Sequence, residues 1–151
     1  MAVTASGLYF LTIEKMFLDT LGQTWEDELN QADLVTDTEA PNFDTHDFHA
    51  DLLAIVSGGN YAQEVIVGSE ITTSSGTLTY DHTDSLYDNA GANDVTITNA
   101  MAQVASTSVG ASATDQLMYL LDFVTAASCS NSTFTVQIHT SGVFTWDFTP
   151  P

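Results

Sequence analysis

Apolar and polar residues alternate along most of the chain, and one early segment departs from that alternation. In Leu11 to Leu21 ("LTIEKMFLDTL") the apolar residues Ile13, Met16 and Phe17 are spaced so that they share one face of a helix. Gly22 follows at the position where such a helix would end. The pattern therefore predicts one short helix near the N-terminus.

After this helix the spacing changes to the two-residue period of β-strands, with turns rich in Gly, Ser, Asn and Asp between them. In "STFTVQIHT" the residues Phe134, Val136 and Ile138 face one way and the polar residues between them face the other. We expect the following "GVFTWDF" to pair with it as a hairpin across Ser141-Gly142. "DQLMYLLDFV" suits a helix or a buried strand, and the Ser-rich turns on both sides favour a strand.

Further segments with strand character are "ELNQADLV", "QEVIVGSEIT", "GTLTY", "DVTIT" and "MAQVAST". About seven short strands separated by turns predict a mainly β fold, an antiparallel β-sandwich or barrel-like domain with one short N-terminal helix. A length of 151 residues fits a single domain over residues 1–151. Residues 1–7, "MAVTASG", are small and polar enough to form an N-terminal arm.

The charge of the chain is strongly one-sided. There are 20 acidic residues and one basic residue, Lys15, which gives a formal net charge of −19 with neutral histidines. Because phosphate backbones are bound by Lys and Arg, nucleic acid is excluded as a partner, and anionic membranes are disfavoured for the same reason. No run of about 18 apolar residues is present, so we expect no membrane-spanning helix. The charge predicts a basic partner surface or a salty environment that screens self-repulsion.

One segment, "PNFDTHDFHADL", concentrates side chains of the kind that bind transition metals. His46 and His49 are three residues apart and Asp51 follows, but the H-E-x-x-H arrangement of zinc proteases is absent. A third ligand such as His82 or His139 would have to come from elsewhere in the chain. The spacing alone therefore does not define a metal site.

The same segment has the composition of a structural corner. Pro41 and Asn42 are turn-forming residues, and Asp44 or Thr45 would cap a short helical turn. Phe48 would then anchor the corner in the core. We prefer this interpretation, in which the two histidines support the corner by hydrogen bonds.

A second group of candidate ligands lies in the loop "DHTDSLYDNAGAND". Asp81, Asp84, Asp88 and Asp94 offer oxygen ligands of the kind that Ca²⁺ binds, although their spacing differs from the EF-hand pattern. An acidic, solvated loop is the competing interpretation. Cys129 is the only cysteine, and no nucleophile motif or phosphate-binding loop is present. We therefore expect no enzymatic activity and no cofactor, with Ca²⁺ as the ion that this loop would take.

Several segments form an ordered series along the chain. "LVTDT" ends a predicted strand and "APNFDTHDFHADL" follows it, then "SGGNYAQEV", "GANDVTITNA", "LMYLLDF" and "SNSTFTVQIHTSGVF". In this order they resemble a set of small structural proteins of tailed bacteriophages. That set has a P-N-x-D-T-H-x-F-x-x-D segment after a strand ending in L-x-T. It continues with a G-Y segment, an A-N/D-D-V strand, a strand ending in D-F and a closing S-N-x-x-F-T pattern.

The resemblance implies a non-enzymatic virion component and, within that class, a capsid decoration (cement) protein. Such a protein is small and β-rich, is often a homotrimer, and binds the major capsid protein on the capsid exterior where capsomers meet. The acidic charge suits docking on a basic patch of the shell. We expect the anchors on the N-terminal arm and the apolar helix face, with Leu8, Phe10, Met16 and Phe17 as candidate interface residues.

Two other functions are compatible with the sequence. A head–tail connector or tail component of the same virion would share the resemblance. A carbohydrate- or host-binding β-sandwich would use exposed aromatic side chains. The candidates for such a sugar site are Trp25, Tyr61, Tyr80, Tyr87 and Trp146.

Overall fold

The chain is built mainly from antiparallel β-strands, as the alternating pattern predicts. The computed structural model describes residue 3 and residues 5–149, with 42% of the chain in strands and 8% in helix. The elements in chain order are β1 (Gly7–Leu8), α1 (Phe10–Phe17), β2 (Gln31–Thr36), a 3₁₀ turn (His49–Asp51), β3 (Glu64–Val65), β4 (Glu70–Ser74), β5 (Thr77–Asp81), β6 (Ser85–Tyr87), β7 (Val95–Ser106), β8 (Leu117–Ser132), β9 (Phe134–Val136) and β10 (Phe144–Asp147). This β-sandwich-like arrangement with one α-helix confirms the predicted fold class.

Within the described residues the strands form three antiparallel sheets. The largest has the strand order β1-β8-β7-β2-β3, the second has the order β10-β5-β4, and the third pairs β6 with β9. Strands β1 and β10, which lie near the two ends of the chain, are therefore both edge strands. Helix α1 follows β1 directly, so it lies beside one edge of the largest sheet.

The largest sheet is covered on both of its faces. Leu34 and Val35 are consecutive residues of β2 and point to opposite sides, and both are fully buried. Leu34 packs into a cluster with Ile97, whereas Val35 packs into a different cluster with Leu120. Each such buried aliphatic side chain contributes roughly 1.5–3 kcal/mol of transfer free energy. The layered interior explains why β2 is buried at four consecutive positions.

Helix α1 ends earlier than the predicted segment Leu11 to Leu21 because a residue in the left-handed conformation stops it. Asp19 has φ of 52°. Its N–H donates to the Met16 carbonyl at 3.3 Å, and the Thr20 N–H donates to the Lys15 carbonyl at 3.0 Å. These are the two hydrogen bonds of a Schellman C-cap, a position usually occupied by Gly. The chain therefore leaves the helix before Gly22 is reached.

The inner side of helix α1 is fastened to the largest sheet. The hydroxyl of Thr12 is buried and donates to the Leu117 carbonyl in β8. Tyr9, just before the helix, is fully buried. Ile13 and Met16 pack against the core cluster that contains Trp25. The outer side of the helix is left for contacts outside the core.

Strands β7 and β8 form the longest pair, and several bulges interrupt it. The predicted strands "DVTIT" and "MAQVAST" are consecutive parts of β7, joined at Asn99, whose φ is 54°. Within "DQLMYLLDFV", all residues from Leu117 to Val124 lie in β8, which confirms the strand prediction for them, whereas Asp115 and Gln116 precede the strand. The Ser-rich segment after it, however, is not a turn and continues β8 to Ser132. Backbone hydrogen bonds to β7 hold this half of the strand, whatever the polarity of its side chains.

The predicted hairpin across Ser141-Gly142 is wrong. Strand β9 pairs with β6, whereas β10 pairs with β5 and places Trp146 opposite Leu78. The turn itself is present, since Gly142 has φ of 85°. It carries the chain from one sheet to another instead of joining two neighbouring strands.

The described part of the predicted N-terminal arm, residues 1–7, is docked on the fold. Val3 is buried in a core cluster. The Ser6 hydroxyl oxygen accepts the Asp122 N–H at 2.9 Å, and Gly7 pairs with β8. Residues 1, 2 and 4 of this segment lie outside the described part of the chain.

Candidate functional site

An apolar groove of about 600 Å³ opens between helix α1 and the sheet that contains β5 and β10. We refer to it as the α1–β10 groove. Its lining side chains are Leu8, Phe10, Ile13, Met16, Phe17, Leu78, Trp146 and Phe148. The four candidate interface residues named from the sequence are all among them, so the structure brings those four together on one surface.

The helix wall of the groove is made by Phe10, Ile13, Met16 and Phe17 of α1. Ile13 and Met16 are half-buried where the helix meets the core. Phe10 and Phe17 are 66% and 86% exposed. Contiguous apolar surface of this kind is unfavourable in water and marks interaction sites in monomeric proteins. The helix therefore presents two aromatic rings that the fold itself does not cover.

The sheet wall of the groove is held in place by neighbouring aromatic rings. Trp146 and Leu78 are cross-strand partners, so their side chains lie on the same face of the sheet. The Trp146 ring centroid is 5.0 Å from that of Phe144 and 6.3 Å from that of Trp25. Tilted aromatic pairs at these distances are favourable. Trp146 is consequently packed against the rings of Phe144 and Trp25 in the structure without a partner.

Phe148 lines the groove and follows directly after β10. Its side chain is 69% exposed, while its N–H donates to the Gly76 carbonyl at 2.8 Å. The preceding Asp147 carboxylate accepts the N–H and the hydroxyl of Thr149 at 2.9 and 2.6 Å. These two bonds hold the pKa of Asp147 below its usual range. The backbone around Phe148 is thus ordered although its ring is open to solvent.

The groove lies on a surface that carries no free basic side chain. Lys15, the only Lys or Arg in the chain, contacts both carboxylate oxygens of Asp47 at 2.7 and 2.6 Å. Its ammonium also lies 4.6 Å from the centroid of the Phe48 ring. The carboxylates near the groove therefore have no basic residue to neutralise them.

Four of the eight lining residues, Ile13, Leu78, Trp146 and Phe148, are not among the candidate interface residues named from the sequence. Phe144, Trp146 and Phe148 alternate in "VFTWDF", and this spacing is the signal by which Trp146 and Phe148 can be placed on one face. Leu78 belongs to the groove only because β5 pairs with β10, and a pairing across that sequence distance has no local signal. Ile13 was recognisable as a member of the apolar helix face.

The segment "PNFDTHDFHADL" forms a corner, but its contacts differ from the prediction. Side chains of Asn42 and Asp51, not of Asp44 or Thr45, accept the backbone N–H groups of its two short turns. The ring of Phe48 covers Lys15 instead of entering the core, and the neighbouring Phe43 packs against the core in its place. The corner is therefore structural, with different residues in the capping and anchoring roles.

A buried carboxylate links this corner to β2. Asp33 is 4% exposed, and its two oxygens accept hydrogen bonds from Tyr61 Oη at 2.9 Å, Gln63 Nε2 at 2.6 Å and His49 Nε2 at 2.7 Å. Tyr61 Oη in turn accepts the Leu34 N–H at 2.7 Å. The bond to Asp33 raises the pKa of His49 above its ordinary value. Tyr61 Oη, Gln63 Nε2 and His49 Nε2 thus each have an acceptor in Asp33, which satisfies the buried carboxylate.

The histidine-based metal candidates are not gathered on one ligand, and the buried Nδ1 of His46 has no hydrogen-bond partner among the described residues. His49 is bound to Asp33, and the Asp51 carboxylate accepts the N–H groups of Asp47 and Phe48, each at 2.9 Å. These two bonds lower the pKa of Asp51. Among residue 3 and residues 5–149, no three His, Cys, Asp or Glu side chains are grouped as metal ligands would be. The structure thus gives His49 and Asp51 roles within the corner.

The two histidines considered as a third ligand lie elsewhere. His82 is buried, its Nδ1–H donates to the Thr83 carbonyl at 2.6 Å, and its Nε2 accepts the Tyr119 hydroxyl at 2.5 Å. Burial lowers the pKa of His82. His139 is exposed and its Nδ1 accepts the Ser141 N–H at 3.1 Å. Neither lies with the corner histidines.

The acidic loop distributes its carboxylates over different donors. Each of the four candidates accepts one hydrogen bond from the chain at 2.8 to 2.9 Å. These residues are Asp81, Asp84, Asp88 and Asp94. Asp84, for example, accepts the Ile138 N–H and so ties the loop to the segment after β9. The observed role of the four carboxylates is to hold loop backbone and one loop amide.

The aromatic residues proposed for a sugar site do not share a surface. Trp25, Tyr80 and Tyr87 are buried in the core, and Tyr61 is half-buried with its ring stacked on Tyr87 at 5.7 Å. Only Trp146 of the five lies in the groove. The structure therefore assigns four of these rings to the interior.

Comparison of the chain with protein-family models, with curated proteins and with solved structures finds no match. In the described part of the chain, no helix has the length and apolar character needed to cross a membrane. The assignment of function accordingly depends on the groove, the charge and the order of segments along the chain.

Proposed function

We propose that this chain is a non-enzymatic structural protein of a tailed-bacteriophage virion and, within that class, a capsid decoration (cement) protein. It binds the major capsid protein on the capsid exterior and stabilises the shell. The observation that carries this proposal is the α1–β10 groove, a preformed apolar surface on a chain whose net charge is −19. The ordered resemblance to small phage structural proteins supplies the biological setting.

The charge and the groove make different contributions to binding, one at long range and one at short range. Carboxylates over the surface attract a basic patch of the shell from a distance and repel packaged DNA. The apolar side chains of the groove then provide the short-range contact, because burying them removes apolar area from water. A protein with these two properties is suited to the outside of a capsid.

Many copies of such a protein stabilise a shell by mass action. Ligands that bind only the assembled state shift the equilibrium toward it, even when each contact is modest. A homotrimer placed where capsomers meet would engage several subunits at once and gain from multivalency. The proposed assembly is therefore a trimer seated at such a junction.

A sugar-binding role is supported less well by the same geometry. Sugar rings need several hydrogen-bond partners beside an aromatic face, whereas the indole N–H of Trp146 is the one hydrogen-bonding group among the eight lining side chains of the groove. A protein segment with apolar side chains matches these walls. We therefore place the groove at a protein interface.

The proposal is tested by a cryo-EM map of the particle that carries this chain. We expect density for it on the outer face of the shell, in hundreds of copies. Capsids assembled without the chain should lack that density and should lose heat and osmotic resistance. A handful of copies, or a ring at the vertex, would assign the chain to the connector or tail; unchanged shells without the chain would overturn the decoration role.

A further inference from the structure

We infer that the α1–β10 groove binds an extended segment of the partner in which large apolar side chains alternate with Lys or Arg. This inference rests on the proposed function for the partner's identity, the major capsid protein, and on the groove itself for the chemistry of the segment. It names what kind of chain the groove recognises and how that chain lies.

The apolar half of the recognised segment follows from the size and lining of the groove. Its volume of about 600 Å³ lies inside the range of roughly 300–1,000 Å³ that is typical of ligand pockets. Phe10, Phe17 and Phe148 stand open at its rim, while Trp146 is fixed at its wall. Partly buried aromatic side chains in preformed pockets are the usual centres of binding energy. The segment must therefore supply large apolar side chains of its own.

The basic half follows from the carboxylates beside the groove. Glu14, Asp19 and Asp147 are exposed and lie within two residues of groove-lining residues. Lys15 is paired with Asp47, so no other Lys or Arg side chain of this chain is available to receive an acidic segment. Lys or Arg beside the apolar anchors would meet these carboxylates, whereas Asp or Glu would be repelled.

The same charges disfavour a second copy of this chain as the occupant. Two copies meeting at their grooves would bring two surfaces together from molecules of charge −19 each. At about 0.15 M ionic strength the Debye length is about 8 Å, so carboxylates at contact distance remain only partly screened. A basic partner gains from the charges that would oppose self-association.

The extended form of the segment follows from the position of β10. This strand pairs with β5 on one side and, within the described residues, has no strand on its other side. Its outward N–H and C=O groups are therefore open beside the groove, and an added strand would satisfy them. Alternate side chains of such a strand would lie on the face of Trp146 and enter the groove. The intervening Lys or Arg side chains would lie on the opposite, solvent-exposed face of the sheet, which is the face of the exposed Asp147.

The inference is tested with synthetic peptides and the full chain. The probe is a ten-residue peptide in which Lys alternates with Phe or Leu. One control peptide has Glu in place of Lys, and another has the same composition with its apolar residues grouped at one end. Binding is followed by amide chemical shifts and by fluorescence, since Trp146 lines the groove and Trp25 is buried. We expect the alternating Lys peptide to bind tightest and to shift the signals of β10 and α1.

Matched variants separate groove binding from general attraction to an acidic protein. Phe17 and Leu53 are 86% and 88% exposed, but only Phe17 lines the groove. Phe17→Ser should weaken the alternating Lys peptide about tenfold, the loss expected for one interface anchor, while Leu53→Ser leaves it unchanged. Neither change touches the core, so both variants should fold.

Several results would overturn the inference. Equal binding of the Glu peptide, equal binding of the grouped peptide, or equal losses in the two variants would each contradict it. A wild-type oligomer that dissociates on Phe17→Ser would show that a second copy fills the groove instead. Capsids that carry the Phe17→Ser chain as fully as the wild type would reject the inference but keep the decoration role. If the peptides bind as expected but the chain is absent from capsids, the inference about the groove is kept and the decoration role is rejected.

Discussion

The ammonium group of Lys15 lies 2.7 and 2.6 Å from the two carboxylate oxygens of Asp47, and this contact joins helix α1 to the corner before the 3₁₀ turn. The Asp47 carbonyl accepts the Leu117 N–H at 2.9 Å, so the same corner is also fastened to β8. The one basic residue of the chain thus fixes the helix wall of the groove to the largest sheet.

Replacing Lys15 should lower stability because it leaves Asp47 without its partner. Both side chains are partly buried, at 23% and 18% exposure, so the two-oxygen contact is screened less than a surface pair. We expect Lys15→Met to reduce the free energy of unfolding by roughly 1 kcal/mol in urea titrations. The neighbouring Glu14→Gln, at an exposed position, is the control and should stay within about 0.5 kcal/mol of the wild type. Equal midpoints for the two variants would show that the pair contributes nothing.

The sequence pattern is most informative where one local period decides the outcome. Ile13, Met16 and Phe17 show the helical period, and the structure places all three in the groove wall. Alternation likewise identifies the strand character of β9 and β10. The mainly β fold and half of the groove follow from these local signals.

The remaining features depend on contacts between distant segments. Strand β10 pairs with β5 through Trp146 and Leu78, and alternation gives a strand no preference among partners. The second half of β8 has the polar composition of a turn because its side chains are exposed. Its backbone nevertheless pairs with β7 as a strand. In the corner, Asn42 takes the capping role that Asp44 would also suit by composition. The local sequence pattern therefore does not determine which strands pair or which of several suitable residues caps a turn.

The C-terminus of α1 offers a stabilising substitution. Asp19 adopts φ of 52°, a conformation that costs residues with a Cβ atom more than it costs Gly. Asp19→Gly should raise the free energy of unfolding by about 0.5 kcal/mol, after the greater entropy of Gly in the unfolded chain is subtracted. Asp19→Ala is the control, since it removes the same charge but keeps the Cβ atom, and it should be less stable than Asp19→Gly. Thermal unfolding that ranks Ala at or above Gly would contradict the proposed strain.

The contact between His49 and Asp33 predicts a pH-dependent contribution to stability. The pKa of His49 is raised in the folded protein, mainly by its hydrogen bond to Asp33. A raised folded pKa means that the protonated form is favoured by folding. The stabilisation is therefore fully present below the unfolded pKa of about 6.5 and is lost as pH rises through the folded value.

This dependence is measured by comparing unfolding free energies of the wild type and His49→Gln between about pH 5 and pH 9. Gln keeps a hydrogen-bond donor but cannot titrate, so the advantage of the wild type should shrink as pH rises. The comparison also cancels the opposite effect of buried His82, whose pKa is lowered. In an Asp33→Asn background the two curves should run parallel. A constant difference across the range in the unmodified background would rule out the linkage.

Substitutions at the two neighbouring glycines of "SGGNY" allow the cost of backbone strain to be measured separately from the cost of a steric clash. Gly58 and Gly59 have φ of 78° and 57°, but a Cβ atom on Gly58 would meet nothing within 4 Å, whereas one on Gly59 would lie 2.4 Å from the Thr96 carbonyl oxygen. The Thr96 N–H donates to the Gly59 carbonyl at 2.7 Å, so this loop is bonded directly to the start of β7. Any side chain at Gly59 must therefore push the loop away from the sheet.

Gly58→Ala should cost about 1 kcal/mol, the strain of a left-handed residue alone. Gly59→Ala should cost about 2–4 kcal/mol, because the backbone contact adds overpacking to the same strain. Urea unfolding of the two variants gives this difference directly, and amide exchange at Thr96 should accelerate only in Gly59→Ala. Equal costs for the two variants would mean that the loop relaxes freely and that its close approach to β7 contributes no stability.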